Sequence, residues 1–266
     1  MKLDYFSLLS PEPMVFERLG GIISPTLRDV SKIGYRTYQN YISVLLTDIR
    51  TYYDSINELG DEYFKGYTVE QKDKVLKTKS EYDSLSDCDR NNITFFDIVI
   101  FDEIYRNYIL NALNFFIVDK VIFSDEHNVF FTFDSDIGDD SKPTGFINRD
   151  IYNDVVDIIL QRICMQRQVA EENVKVKNKT AARLLEKIKQ ANKKQKKKQD
   201  KKMELPNLIS ALASHSKNLN IVNIWDLTVY QLYDQFRRQQ LEDYYDINSS
   251  RVAAWGDSEG KFDNIA

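Results

Sequence analysis

A block of lysines divides this chain. Residues 171–202 hold thirteen Lys/Arg against four Asp/Glu and not one aromatic ring, whereas the other positions hold 23 basic and 37 acidic side chains. Like charges at that density repel and must stay hydrated, so the block cannot contribute to a core. Two acidic, aromatic-rich segments must therefore pack on either side of it. The expected plan is a helical core with a small β unit over 1–170, a basic helical connector over 171–203, and a helical segment with a tail over 204–266. An adaptor suits that plan better than an enzyme built around one pocket.

The hydrophobic fraction of 42%, with 12% aromatic, supplies enough apolar surface for a real core and excludes global disorder. A net charge of −5 disfavours whole-surface attraction to nucleic acid or to an anionic membrane. No apolar run approaches the roughly 20 residues that span a bilayer. The start, Met1-Lys2-Leu3-Asp4-Tyr5, lacks the long apolar stretch of a secretory signal. Cys88 and Cys164 fit no metal or redox spacing and read as ordinary thiols of a reducing cytoplasm.

Periodicity predicts a mainly α-helical α+β protein. Pro11 and Pro13 exclude helix from 8–13, Gly20-Gly21 marks a turn, and Ser24-Pro25 resembles a helix start. Leu27, Val30, Ile33, Tyr38, Tyr41, Ile42, Leu45 and Ile49 then recur at spacings of three and four, predicting one helix over 25–54. A short helix over 69–76 and a loop over 80–92 follow. Ile98, Phe101, Ile104, Tyr105, Tyr108, Leu113 and Phe116 predict a central helix over 95–119.

The period then changes. Val121-Ile122-Phe123-Ser124 and Val129-Phe130-Phe131-Thr132-Phe133 flank a four-residue polar turn and read as a β-hairpin, with a third strand in Gly145-Phe146-Ile147-Asn148. A helix should run from about 148–150 to 169. Within the basic block, residues 181–188 have an apolar stripe and should be helical, and the lysines from 193 onward should be solvated. After Pro206, a short helix carries Leu208, Ile209, Leu212 and Ala213. Asn223 and Asp226 resemble the cap and third position of another helix, lined by Trp225, Val229, Leu232 and Phe236 and ending near Leu241. Residues 243–266 read as a tail.

The chemistry is sparse. Neither His127 nor His215 lies near a nucleophile elbow, and no H-E-x-x-H, C-x-x-C or phosphate-loop spacing occurs. Asp134-Ser135-Asp136-Ile137-Gly138-Asp139-Asp140 superficially resembles a calcium loop, but Gly145 stands where the twelfth-position carboxylate belongs. No catalytic, cofactor or metal residue is predicted. The lysine block is read first as a solvated connector, second as a contact for an acidic protein, and last as a nucleic-acid contact, because it lacks stacking rings. The better binding signal is the concentration of amphipathic rings near the end of the chain. Trp225, Val229, Tyr230, Tyr233, Phe236, Tyr244 and Tyr245 are the candidate protein-binding residues, with local core packing the equal alternative.

Three phrases together resemble the tail assembly chaperones of tailed bacteriophages and prophages of Gram-positive bacteria. The first is Ser24-Pro25-Thr26-Leu27-Arg28-Asp29-Val30, with Ile33-Gly34-Tyr35 and Tyr38-Gln39-Asn40-Tyr41. The second is Gly145-Phe146-Ile147-Asn148-Arg149-Asp150-Ile151-Tyr152. The third is the basic stretch leading to Leu208-Ile209-Ser210-Ala211-Leu212, then Ile224-Trp225-Asp226-Leu227-Thr228-Val229-Tyr230-Gln231-Leu232-Tyr233-Asp234-Gln235-Phe236.

The resemblance implies a non-catalytic protein of the host cytoplasm that binds the tape measure protein, a very long helical chain, before the tail tube forms around it. The major tail tube protein and a second copy of the chain are further candidate partners; nucleic acid and membrane are not expected. A structural virion protein, a connector or baseplate component retained in the particle, is the alternative.

Overall fold

The computed structural model describes residues 2–16, 19–90, 92–134, 142–167 and 204–256. Among them are eleven α-helices and two small antiparallel sheets, a mainly helical α+β architecture. The chain divides into two compact units, one of residues 1–25 and 29–167, the other of 26–28 and 168–266. The lysine block and most of 134–140, the segment that superficially resembles a calcium loop, lie outside the described residues.

The first unit opens with α1 (Tyr5–Leu9), capped by the Asp4 carboxylate and ended at Ser10, ahead of the prolines. The expected exclusion of helix from 8–13 therefore applies only past Leu9. Gly20 and Gly21 are not a free turn. They begin β2 (Gly20–Ile22), which pairs with β1 (Met14–Phe16). Gly20 has φ +88°, and a Cβ there would collide with the Asp119 carboxylate, so this strand start requires glycine.

The single helix predicted over 25–54 is three: α2 (Leu27–Ile33), α3 (Tyr35–Leu46) and α4 (Ile49–Leu59). Gly34, at φ +85°, breaks the first junction, and Asp48 caps α4 by accepting from the Thr51 N–H. Ser24 is not a helix cap either: its hydroxyl donates to the Arg162 carbonyl at 2.7 Å. Next comes α5 (Val69–Ser84), held at its start by a Thr68–Gln71 capping box, and α6 (Asp87–Arg90). They replace the loop expected over 80–92.

The central apolar stretch also divides, into α7 (Phe95–Phe101) and α8 (Glu103–Phe116). The divider is Asp102, which caps α8 through the Tyr105 N–H and is only 2% exposed. Its carboxylate also accepts from the hydroxyls of Tyr52 at 2.5 Å and Tyr67 at 2.9 Å. Tyr52 packs edge-on against Tyr63, Phe95, Phe101 and Tyr105. Asp102 thus ties α4, α8 and the Tyr67 turn together inside a ring cluster.

Burial, and secondarily the Asp102 charge, raises the phenol pKa of Tyr63 to about 12. The same two causes push Tyr52 and Tyr67 higher, and burial raises Tyr105. A raised folded-state value means this contribution to stability is complete below the ordinary pKa of 10 and is lost as pH climbs towards the folded values. Alkaline titration should therefore show these phenolates appearing together with loss of helix by circular dichroism. Ionisation of all of them near pH 10 with the fold intact would contradict this arrangement.

α8 packs on α3 and on β3, with the Tyr38 and Tyr41 rings against Phe115 and Tyr38 also against Phe116. Strands β3 (Lys120–Ser124), β4 (Val129–Phe133) and β5 (Gly145–Ile147) form the predicted hairpin and third strand, all antiparallel. Asn128, at φ +53°, closes the four-residue turn. The Asn114 side chain of α8 lies along β3, donating to the Val121 carbonyl and accepting from its N–H, both at 2.9 Å.

The helix predicted to reach 169 is α9 (Tyr152–Gln161), which turns off after Arg162 with Cys164 at φ +58°. Arg162, 1% exposed, donates from its two terminal nitrogens to the carbonyls of Ser7 and Glu12, each at 2.7 Å. With the Leu3 N–H donating to Gln161, it fastens the N-terminal segment to α9. Its Nε has no partner, and burial lowers its pKa.

The second unit contains α10 (Leu205–His215), with Pro206 in its first turn, and α11 (Val229–Trp255). Leu205, Leu208, Ile209 and Leu212 are buried on α10. The predicted cap at Asn223 is displaced: Ile224–Asp226 is a 3-10 turn, and α11 begins with a Thr228–Gln231 capping box. That box satisfies two orphan backbone donors at once, whereas the Asn223 side-chain oxygen accepts from the Asn220 N–H instead of capping. The Leu27 N–H donates to the Leu227 carbonyl, Thr26 bridges Thr228, and Arg28 pairs with Asp226 at 2.6 Å, pinning the entry to α11. The helix does not stop near Leu241. Nothing from 243 to 255 breaks it, and it ends at Gly256, φ +77°.

Candidate partner-binding surface

α11 has two different faces. One packs on α10, with Val229 and Leu232 buried and Phe236 half-buried. The contact includes a polar clasp, where His215 Nε2 lies 3.0 Å from Asp243 Oδ1 and Gln239 donates to the same oxygen; further along the helix Asn248 is buried too. The Gln239 bond first, and His215 second, hold the Asp243 carboxyl below its ordinary value.

Beyond this clasp the helix continues for another twelve residues, about 18 Å. Leu241, Tyr244, Ile247 and Trp255 stand 66%, 55%, 68% and 81% exposed. At 100° per residue these four fall within an arc of roughly 120°. They form an unusually apolar exposed stripe for a helix whose other residues are largely charged or amide-bearing.

The predicted binding residues are thus distributed unevenly. Val229 is buried inside its own unit. Trp225 is half-buried, and its indole N–H donates to the Ile221 carbonyl at 2.8 Å. Tyr230, Tyr233 and Phe236 are half-buried, whereas Tyr244 and Tyr245 are exposed. Trp255, one of the amphipathic rings that concentrate near the end of the chain, is exposed as well, and Leu241 and Ile247, which the sequence reading did not place among the binding residues, join them. The missing signal was helix length: read as a tail, 243–255 has no face.

The other reactive groups lead elsewhere. Ser124 Oγ lies 3.1 Å from His127 Nδ1 in the exposed hairpin turn, with the imidazole against Phe131. The second histidine pairs with Asp243. Among the described residues, the first pair has no acid beside it and the second no nucleophile. An open cleft of about 490 Å³ lies between Lys74, Phe101, Glu103, Arg106 and Asp125. Its Arg106 is already paired with Asp125 and stacked 4.2 Å from the Phe123 ring, and Gln71 donates to its Glu103. Among the described residues, no group of three or more His, Cys, Asp or Glu could hold a metal ion, and no helix is long and apolar enough to cross a membrane.

Residues 193–265 match the family model described as the YomV second domain, a phage-type domain of Bacillus prophage. The match includes α10 and α11, so this part of the chain is similar to a phage-associated domain. No curated protein matches the chain, and no solved structure does.

Proposed function

We propose that the protein is a non-catalytic tail assembly chaperone, acting in the host cytoplasm to bind and shield a tape measure protein during phage or prophage tail morphogenesis. The observation that carries this reading is the exposed stripe on α11, located inside the segment similar to a phage-type domain. A long helical partner with apolar faces would aggregate alone, and a helix presenting rings can cover such a face. Many modest contacts along a rod give avidity yet still yield to polymerising tube subunits.

Co-expression with the neighbouring long helical open reading frame tests the proposal. The two products should co-purify, and mass spectrometry of purified particles should find this chain absent. Stoichiometric retention in the particle would identify it as a structural virion component.

A further inference from the structure

Two arginines accompany the stripe on α11. Arg237 and Arg251 are exposed and fall within the same arc as Leu241, Tyr244, Ile247 and Trp255. They are fourteen positions apart, about 21 Å along the axis. Neither makes an ion pair among the described residues. The nearby acids Glu242, Asp243 and Asp246 project from the rest of the circumference; between positions 237 and 255 the charged residues on the stripe's own face are Arg237, ahead of Leu241, and Arg251, between Ile247 and Trp255, next to the buried Asn248.

We propose that this stripe binds an amphipathic α-helix of another protein whose apolar face is lined along its edge by acidic side chains about two heptads apart. This rests on the reading of α11 as the shielding element and specifies the chemistry of what it shields. The apolar residues supply contact area, and the two arginines fix register and polarity. A second copy of this chain is a poorer occupant, because its α11 carries its acids off the apolar stripe and cannot present them to Arg237 and Arg251 while the stripes are in contact. The chain's net charge of −5 disfavours acidic ligands in general, so a preference for one must come from a local feature.

The test uses the full chain and two labelled synthetic peptides of about three heptads. Both carry a leucine stripe; one is flanked by glutamates and the other by lysines at the same positions. Fluorescence anisotropy at low salt should show the glutamate peptide binding at least ~10-fold tighter than the lysine peptide. Combined Arg237→Glu and Arg251→Glu should invert that order, and Trp255→Ala should weaken the glutamate peptide ~10-fold or more. All three positions are exposed, and circular dichroism checks that the helix is retained.

Binding that survives charge reversal but disappears on neutralising Lys193–Lys202 would assign the peptide to the lysine block and overturn the proposal. So would a dimer of the chain abolished by Trp255→Ala. Capture of the tape measure protein unaffected by the double reversal would overturn this inference and leave the proposed function standing. Peptide binding as expected without such capture would do the reverse.

Discussion

Asp102→Ala should cost about 3–5 kcal/mol of unfolding free energy, measured by chemical denaturation. The substitution removes the acceptor for the buried Tyr52 hydroxyl, the half-buried Tyr67 hydroxyl and the Tyr105 backbone N–H. The Tyr52 hydroxyl then loses its partner in a site enclosed by rings, where bulk water cannot replace it. Against a typical domain stability of 5–15 kcal/mol, such a loss leaves the first unit near its threshold. Asp102→Asn should cost roughly half as much, because its amide oxygen still accepts while its NH₂ cannot. A loss under about 1 kcal/mol for alanine would mean that ring packing, not the carboxylate, joins α4 to α8.

Arg162→Ala should cost about 2–4 kcal/mol, and the damage should be local. Two charge-assisted bonds to the carbonyls of Ser7 and Glu12 disappear, and a cavity remains where a large side chain was 1% exposed. The opposing term is substantial, since the guanidinium is buried with only backbone dipoles as partners and an unbonded Nε. Arg162→Met removes that desolvation cost while filling most of the space, so it should be much milder than alanine. Hydrogen exchange distinguishes the outcomes. The amides of Leu8 and Ser10, bonded within α1, should exchange faster in the alanine variant while those of α8 stay protected. Uniform loss of protection would show that the N-terminal segment is integral to the whole unit.

Where local chemistry decided the structure, it was legible. Val121 to Phe133 alternates short β-branched and aromatic runs around a polar turn, and the hairpin forms there. The helix junctions were harder to read. Apolar spacing continues unbroken through Gly34 and through Asp102, so one period describes two helices at each place. Asp102 resembles a solvent-facing position until the fold brings Tyr52 and Tyr67 to it from distant segments. Arg162 is a similar case, because its partners lie some 150 positions earlier in the chain. On α11, Thr228 and Gln231 announce the true start by their spacing, but Asn223 offered a competing one. The concentration of rings near Tyr244 was visible, whereas its exposure depended on a helix extending past Asp243, which sparse apolar residues did not signal.

Asn114 has a consequence for how the three-stranded sheet meets other chains. Its amide occupies both hydrogen-bonding groups of Val121, the second residue of an outer strand. An incoming peptide cannot zip along that border without first expelling a side chain anchored on α8. Border-to-border pairing is therefore obstructed at β3 and left to the three residues of β5, which works against fusion of copies into open-ended ribbons.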